Sequence, residues 1–342
     1  MNNNLRGLIK VSLLIGSVIS LVFVPWALLF AWFTPLPDTV QQEVTSALAH
    51  EFDGIIVYVD KKGQRARSYA AGWHNRELKV PANSQALFKI ASISKLYDAV
   101  AVSKLVAAGR LSLDETLAHY LPELKTRIQY ADKITLRMLL QHRSGIPNFT
   151  DVKDYWKNPP ANAEQALALV LDLTAKFKPD EKYDYSNSNY LLISKIMEKV
   201  LGYDHFQFIK DEILVPLGLK HTFRSIQDVD KELVMSGYYV GVEHDLKMEN
   251  ESMIASAEDV GVFLRALNEG SVFNNGEQQL YTNLYKYEHT GLIPGYQSIA
   301  KYHKEIDTVV VQFVNTTNFD GDTWALSEIV YNRIVKIVSN NN

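Results

Sequence analysis

Ser92 and Lys95 stand three residues apart in Phe88-Lys-Ile-Ala-Ser92-Ile-Ser-Lys95-Leu-Tyr, at the start of an amphipathic stretch. A hydroxyl is a poor nucleophile until a base takes its proton, and an i, i+3 spacing at a helix start puts a hydroxyl and an amine on one face. Lysine takes a proton only in its neutral form, which burial and nearby positive charge favour. A serine at a helix N-terminus also gains from the dipole, which favours negative charge on its oxygen and on a tetrahedral intermediate. A second copy of the spacing, Ser298-Ile-Ala-Lys301, fails on geometry. Tyr296 to His303 reads as a strand, where residues three apart point to opposite faces.

Two further groups could complete such a site. Tyr183-Asp-Tyr185-Ser-Asn187-Ser-Asn189 precedes a helical pattern. A capping turn accounts for one or two of these polar residues, but not for a tyrosine two before an asparagine. A phenol can relay a serine proton, and an amide can hold both a lysine and a substrate carbonyl. Tyr281-Thr-Asn283 repeats that spacing as a decoy. His289-Thr290-Gly291 ends a predicted strand, with Leu292 next and Pro294-Gly295 just beyond. A glycine there lets a substrate backbone approach the strand, and His289 and Thr290 could then bind a carboxylate or an ester oxygen.

The elements that must position these residues follow from periodicity. Two strands, Gly54 to Asp60 and Ala66 to Trp73, join at Lys61-Lys-Gly63. The Ser92 helix runs to Ala108 and stops at Gly109. Helices then dominate: Ile134 to His142, Ala161 to Leu173, Ser188 to Val200, and one starting at Ser256-Ala-Glu-Asp259, a capping-box-like sequence, and ending at Gly270. Strands return at Lys286 to Gly291, Tyr296 to His303 and Thr308 to Asn315, and Asp322 to Val338 closes as an amphipathic helix. This order predicts an α+β fold of three layers (α/β/α): an antiparallel sheet built from both ends of the chain, flanked by helices, with a helical lobe inserted between. A cleft between lobe and sheet is the default site.

Bulk properties narrow the class. A chain of 342 residues has an ample core. Its net charge of −4, without a basic run, argues against nucleic acid as a partner. There is no cysteine, the nine histidines form no metal-ligand spacing, and no Gly-rich phosphate loop or Gly-x-Ser-x-Gly elbow occurs. No metal and no cofactor is implied. Val11 to Phe33 carries no charge over 23 residues, enough for a helix to span roughly 30 Å of hydrocarbon. Arg6 and Lys10 precede it, and Asp38 and Glu43 follow it. The sequence therefore predicts a cytoplasmic tail over 1–10 and an uncleaved N-terminal transmembrane helix over 11–33. One catalytic domain over 39–340 would lie outside the cytoplasm, on a single-pass protein of the cell membrane. Leu29 two before Ala31, with Trp32-Phe33 after it, makes a poor cleavage site for a signal peptide.

Ser92-x-x-Lys95, Tyr185-x-Asn187 and His289-Thr-Gly291, in this order, resemble the penicillin-recognising serine hydrolases. The group in question joins class C β-lactamases, D-alanyl-D-alanine carboxypeptidases and related esterases, with the β-lactamase/transpeptidase-like fold. Ile134 to Pro147, Pro216 to Thr222 and Ser256 to Asp259 resemble structural landmarks of the same family. The resemblance implies an acyl-enzyme on Ser92, with Lys95 and Tyr185 sharing the proton transfers and Asn187 positioning substrate. The backbone N–H groups of Ser92 and Leu292 would form the oxyanion hole. β-Lactamases of this group usually carry Lys where His289 stands, and the family often has a small residue where Leu292 stands. These departures favour a peptide or ester substrate bearing D-amino acids, derived from the cell wall, and a carboxypeptidase or esterase. β-Lactamase activity, or a non-catalytic penicillin-binding sensor module, are the alternatives.

Overall fold

A computed structural model describes residues 24–274 and 276–340. Its centre is a six-stranded antiparallel sheet of β1 (Gly54–Lys61), β2 (Arg67–Asn75), β3 (Val80–Pro81), β4 (His289–Ile293), β5 (Tyr296–His303) and β6 (Thr308–Val314), in the order β3-β2-β1-β6-β5-β4. The N-terminal and C-terminal strands meet at β1 and β6, in register from Ile55 opposite Val314 to Lys61 opposite Thr308. β1 is buried on both faces, so its alternation sorts side chains between two cores rather than between core and water. Ile55, Val57 and Val59 pack with Val310 and Val314 against α1 (Trp26–Phe33), α2 (Val40–Ser46) and the closing helix of the chain, Thr323–Asn340. Ile56 and Tyr58 pack with Val309, Val311 and Phe313 against the opposite layer and the helical lobe. That layer contains α3 (Ser94–Ala107), α4 (Asn187–Leu201) and α5 (Ala257–Glu269); the closing helix is α6. Gly261 lets α5 lie on the sheet, since a Cβ there would sit 2.2 Å from the Tyr58 ring.

Several boundaries differ from the periodicity for local reasons. The Ser92 helix begins instead as a 3₁₀ turn, Ala91–Ile93, before α3. β4 starts at His289 rather than Lys286, because the Tyr281 hydroxyl donates to the Lys286 carbonyl at 2.6 Å and holds that residue off the ladder. Ser256 caps α5 by accepting from the Asp259 N–H at 3.1 Å. The Asp259 carboxylate turns away to the His221 N–H at 2.7 Å and the Thr222 hydroxyl at 2.8 Å, tying α5 to a short neighbouring strand.

The transmembrane expectation is corrected. Among the described residues no helix is long and apolar enough to cross a membrane. Residues 1–23, holding the expected tail and the first part of the span, lie outside the described residues. The described part of 11–33 is 24–33, of which α1 takes eight residues. It lies on the domain: Ala31 is buried in the second core, and Arg333 of α6 donates to the carbonyls of Ala31 at 3.3 Å, Thr34 at 2.6 Å and Pro35 at 3.0 Å. Part of the apolar run is thus spent on packing against α6, and the expected single-pass placement in the cell membrane loses its basis with it.

Candidate active site

The turn bearing Ser92 is fastened on several sides. The preceding pair Phe88–Lys89 is antiparallel to Ile254–Ala255. Lys89, 1% exposed, donates to the carbonyls of Glu249 and of Asn250, the latter at 3.1 Å. Burial pulls its pKa down to about 8. The Ile90 N–H donates to Met253 O at 3.0 Å and the Ala91 N–H to the Ser252 hydroxyl at 2.9 Å. Ala91 itself is left-handed, with φ +48°, a conformation that an alanine holds only where its surroundings enforce it.

At this turn the Ser92 Oγ accepts from Lys95 Nζ at 3.0 Å and from the Tyr185 hydroxyl at 2.8 Å. Lys95 also donates to Asn187 Oδ1 at 2.9 Å and is only 6% exposed. Four of the residues picked out by spacing therefore form one hydrogen-bonded group. Asn187 is the first residue of α4, and its Nδ2 donates to the Thr150 hydroxyl at 3.2 Å while its N–H donates to Asn148 Oδ1 at 3.0 Å. Ser298 and Lys301, the decoy pair, diverge on β5: Ser298 donates to Ile90 O at 3.4 Å and Lys301 pairs with Glu288 at 3.5 Å. Tyr281 of the other decoy is wholly buried in the core.

Tyr185 is held from behind by His142, for which the sequence signalled no role beyond a polar residue in a helix-ending turn. The two rings are 4.3 Å apart, and His142 Nδ1 accepts the Ser186 N–H at 3.1 Å. Burial, with the charges of Lys95 and Lys286, lowers the His142 pKa to about 3, so the ring is neutral.

The His289-Thr290-Gly291 segment behaves differently from a direct anion contact. His289 is buried, donates from Nδ1 to Thr290 O at 2.5 Å and accepts at Nε2 from the Tyr285 hydroxyl at 2.9 Å. Burial, then Lys286 and Lys95, hold its pKa well below the ordinary value. Both ring nitrogens of this neutral histidine are committed. A Cβ at Gly291 would lie 2.4 Å from Ile90 O, so this glycine lets β4 approach the nucleophile turn. Thr290 is half-buried opposite Ile299 on β5.

The cleft beside the group has a volume of ≈ 370 Å³. Ser92, Lys95, Asn187 and Leu292 line it, with Phe149, Tyr155 and Trp156 on one wall and Asn250, Glu251, Ser252 and Met253 on another; His289, Thr290 and Gly291 do not. Among the described residues, Glu198, Asp204 and His205 are the one cluster with metal-ligand spacing. Their atoms are engaged: His205 Nδ1 is 3.0 Å from Glu198 Oε1, and Asp204 pairs with Arg224 and accepts the Phe206 N–H. The site so assembled, a serine contacted by an amine and a phenol, can form an ester with an acyl group and release it to water.

Comparison with known proteins adds the family. A family described as Beta-lactamase matches residues 36–286. "Protein flp" of Staphylococcus aureus (strain MW2) is 28% identical over 193 residues, 55% of this chain and 39% of its own length. "Penicillin-binding protein 4*" of Bacillus subtilis (strain 168) is 25% identical over 238 residues, 68% of this chain and 51% of its own length. The matches thus span about half of these relatives or less. Among solved structures, the D-amino acid amidase of Ochrobactrum anthropi SV3 complexed with D-phenylalanine superposes with a TM-score of 0.77 at 21% identity, covering 89% of this chain and 98% of that one. A penicillin-binding protein from Bacillus halodurans gives 0.71 at 21%, covering 82% and 95%. At these identities the likeness concerns the fold.

Proposed function

We propose, for a chain that belongs to the beta-lactamase family and is a serine hydrolase of that fold, an acyl-serine mechanism with Ser92 as nucleophile. Amides, peptides or esters of D-amino acids are the substrates, and residues 39–340 act as one catalytic domain. The observation that carries the proposal is the pair of hydrogen bonds converging on Ser92 Oγ, from Lys95 at 3.0 Å and Tyr185 at 2.8 Å. As Oγ attacks the carbonyl carbon, its proton passes to one of these two groups; the same pair returns a proton to the departing amine or alkoxide. Water then attacks the Ser92 ester, and the acid leaves. The oxyanion takes the N–H groups of Ser92 and Leu292. The two-residue turn at Pro294-Gly295 makes Ile293 and Tyr296 the closing pair of the β4–β5 hairpin. Alternation of the ladder then turns the Leu292 N–H to the open edge beside Ser92. Asn187, between Lys95 and the cleft, orients the substrate.

Two observations support amides and esters ahead of β-lactams. His289, where β-lactamases of this group carry lysine, is neutral with both nitrogens bonded, so it offers no cation to a substrate carboxylate. The structural neighbours include proteins described as a D-amino acid amidase and a D-stereospecific amidohydrolase. The test is to incubate the full chain with D- and L-amino-acid amides and esters and with a reactive penicillin, following intact mass and product. Turnover of the D-series, lost in Ser92→Ala and kept in Ser298→Ala, is expected. A mass adduct on Ser92 that never turns over would instead identify a penicillin-binding sensor. Labelling that survives Ser92→Ala would remove Ser92 from the mechanism.

A further inference from the structure

The cleft continues past the nucleophile, between α3 and α4, to Asp98, with His205 and Arg224 at its far end. Asp98 lies one turn beyond Lys95 on the same face of α3. It lines the cleft and is only 7% exposed. Among the described residues its carboxylate receives no hydrogen bond, and its one ion-pair contact, His205 Nε2, stays at 3.9 Å. The nearby Ser194 hydroxyl is spent on Tyr190 O at 3.1 Å. A carboxylate nine-tenths buried without a donor is costly to maintain. At 3.9 Å the His205 contact supplies charge but no hydrogen bond, so the carboxylate oxygens have room for a further donor.

The charges facing Asp98 are Lys95 on its own helix, and His205, Glu198, Arg224 and Asp204 from the elements packed against it. His205 Nδ1 is bonded to Glu198 at 3.0 Å, and Arg224 pairs with Asp204. Asp98 thus has a charge contact with His205 at 3.9 Å but, among the described residues, no hydrogen-bond donor. We propose that Asp98 receives a primary ammonium carried by the acyl part of the substrate, at the end of a spacer lying between the aromatic wall and α3. This rests on the acyl-Ser92 reading of the site. Six residues of helix, at about 1.5 Å each, set Asp98 about 9 Å from Ser92 along the axis and about 120° round it, about 10 Å in all. Allowing about 3 Å for the hydrogen bond leaves about 7 Å from the attacked carbonyl carbon to the nitrogen, close to two residues of extended chain. An α-ammonium, two bonds from the carbonyl, falls short. A lysine-like side chain or the amino terminus of a two-residue acyl group reaches. Phe149, Trp156 and Phe206 line the path and suit an apolar spacer.

The experiment compares kcat/KM for methyl esters of 6-aminohexanoic, hexanoic and 3-aminopropanoic acids, with glycyl-D-alanine methyl ester as the backbone-amine arm. The 6-aminohexanoyl ester is expected to exceed the hexanoyl ester by about 10-fold, the scale of one charge-assisted pair, while the short 3-aminopropanoyl ester gains nothing. Asp98→Asn should bring the ammonium-to-neutral ratio towards 1. The glycyl-D-alanyl and 6-aminohexanoyl rates tell a backbone amine from a side-chain amine. A wild-type ratio near 1, a preference blind to spacer length, or a ratio that survives Asp98→Asn overturns the subsite. If Asp98→Asn does not fold, the spacer series on the wild type decides alone. Binding of 6-aminohexanamide against hexanamide to Ser92→Ala protein separates the two readings. A preference there without any ester turnover sinks the acyl-serine mechanism and keeps the subsite, whereas turnover without preference does the reverse.

Discussion

Ser92 touches two potential proton carriers, and their surroundings differ. Lys95 is buried between Ser92 and Asn187, whereas Tyr185 reaches the serine from a loop stacked on neutral His142. Removing only the phenolic oxygen should therefore leave the loop in place and delete one contact. Tyr185→Phe is expected to lower kcat by about 100-fold or more, the scale of general acid–base catalysis, with a small change in KM. A single-turnover assay with a reactive ester checks this, and an unchanged acylation rate would leave Lys95 as the sole proton acceptor.

At the scale of elements, the approach of β4 to the nucleophile turn and the docking of α1 can each be tested at one residue. Gly291→Ala would put a Cβ 2.4 Å from Ile90 O, a backbone atom with no rotamer to escape into. β4 and the Ser92 turn must separate, and misplacement of about 1 Å can cost 100-fold in rate. The expected outcome is folded protein with turnover down by about that factor, measured by circular dichroism and ester hydrolysis together. The other end of the fold hangs on Arg333, which pairs with Glu43 at 2.6 and 2.9 Å and satisfies three carbonyls at the end of α1 and beyond. Glu43 is 3% exposed. Arg333→Met strands that carboxylate and should cost about 3–5 kcal/mol, with Glu43→Gln/Arg333→Met recovering part of it. Urea midpoints measure both, and amide exchange over residues 26–46 should accelerate in the single variant.

For the whole molecule, the two buried histidines make stability depend on acid. His142 and His289 both have pKa values lowered by burial, His142 to about 3. An unfolded histidine takes its proton near pH 6.5. Below that pH the unfolded chain binds protons that the folded chain refuses. The stability present above pH 6.5 is therefore lost as pH falls, by up to about 1.4 kcal/mol per unit for each histidine. His205 acts in the opposite sense: burial lowers its pKa, but the Glu198 hydrogen bond and the Asp98 charge outweigh this and leave it raised. Its contribution is full below pH 6.5 and fades as pH rises. His142→Gln keeps an acceptor for the Ser186 N–H and removes one titrating group. Urea midpoints between pH 5 and 6.5 should then fall less steeply than in the wild type, and an unchanged slope would mean His142 is protonated in the fold.

The sequence by itself determined what local periodicity and spacing encode. Short apolar, β-branched runs over Gly54 to Asp60 and Thr308 to Asn315 marked strands from both ends of the chain, and they pair at the centre of the sheet. The i, i+3 spacing put Ser92 and Lys95 on one face because a helical turn fixes that geometry whatever surrounds it. Only the tertiary structure decided where apolar and polar groups find partners distant in the chain. The apolar run up to Phe33 carried no sign that Arg333, some 300 positions later, would donate to the carbonyls at its end. His289 could be placed on a strand, but which way its ring faces could not; the structure turns it inward to Tyr285, in the loop just before that strand. Nothing in the spacing singles out Asp98, and its lack of a hydrogen-bond donor in the cleft arises from how α4 and His205 pack beside it. Spacing sets which face a side chain occupies, whereas the partner on that face is set by long-range packing.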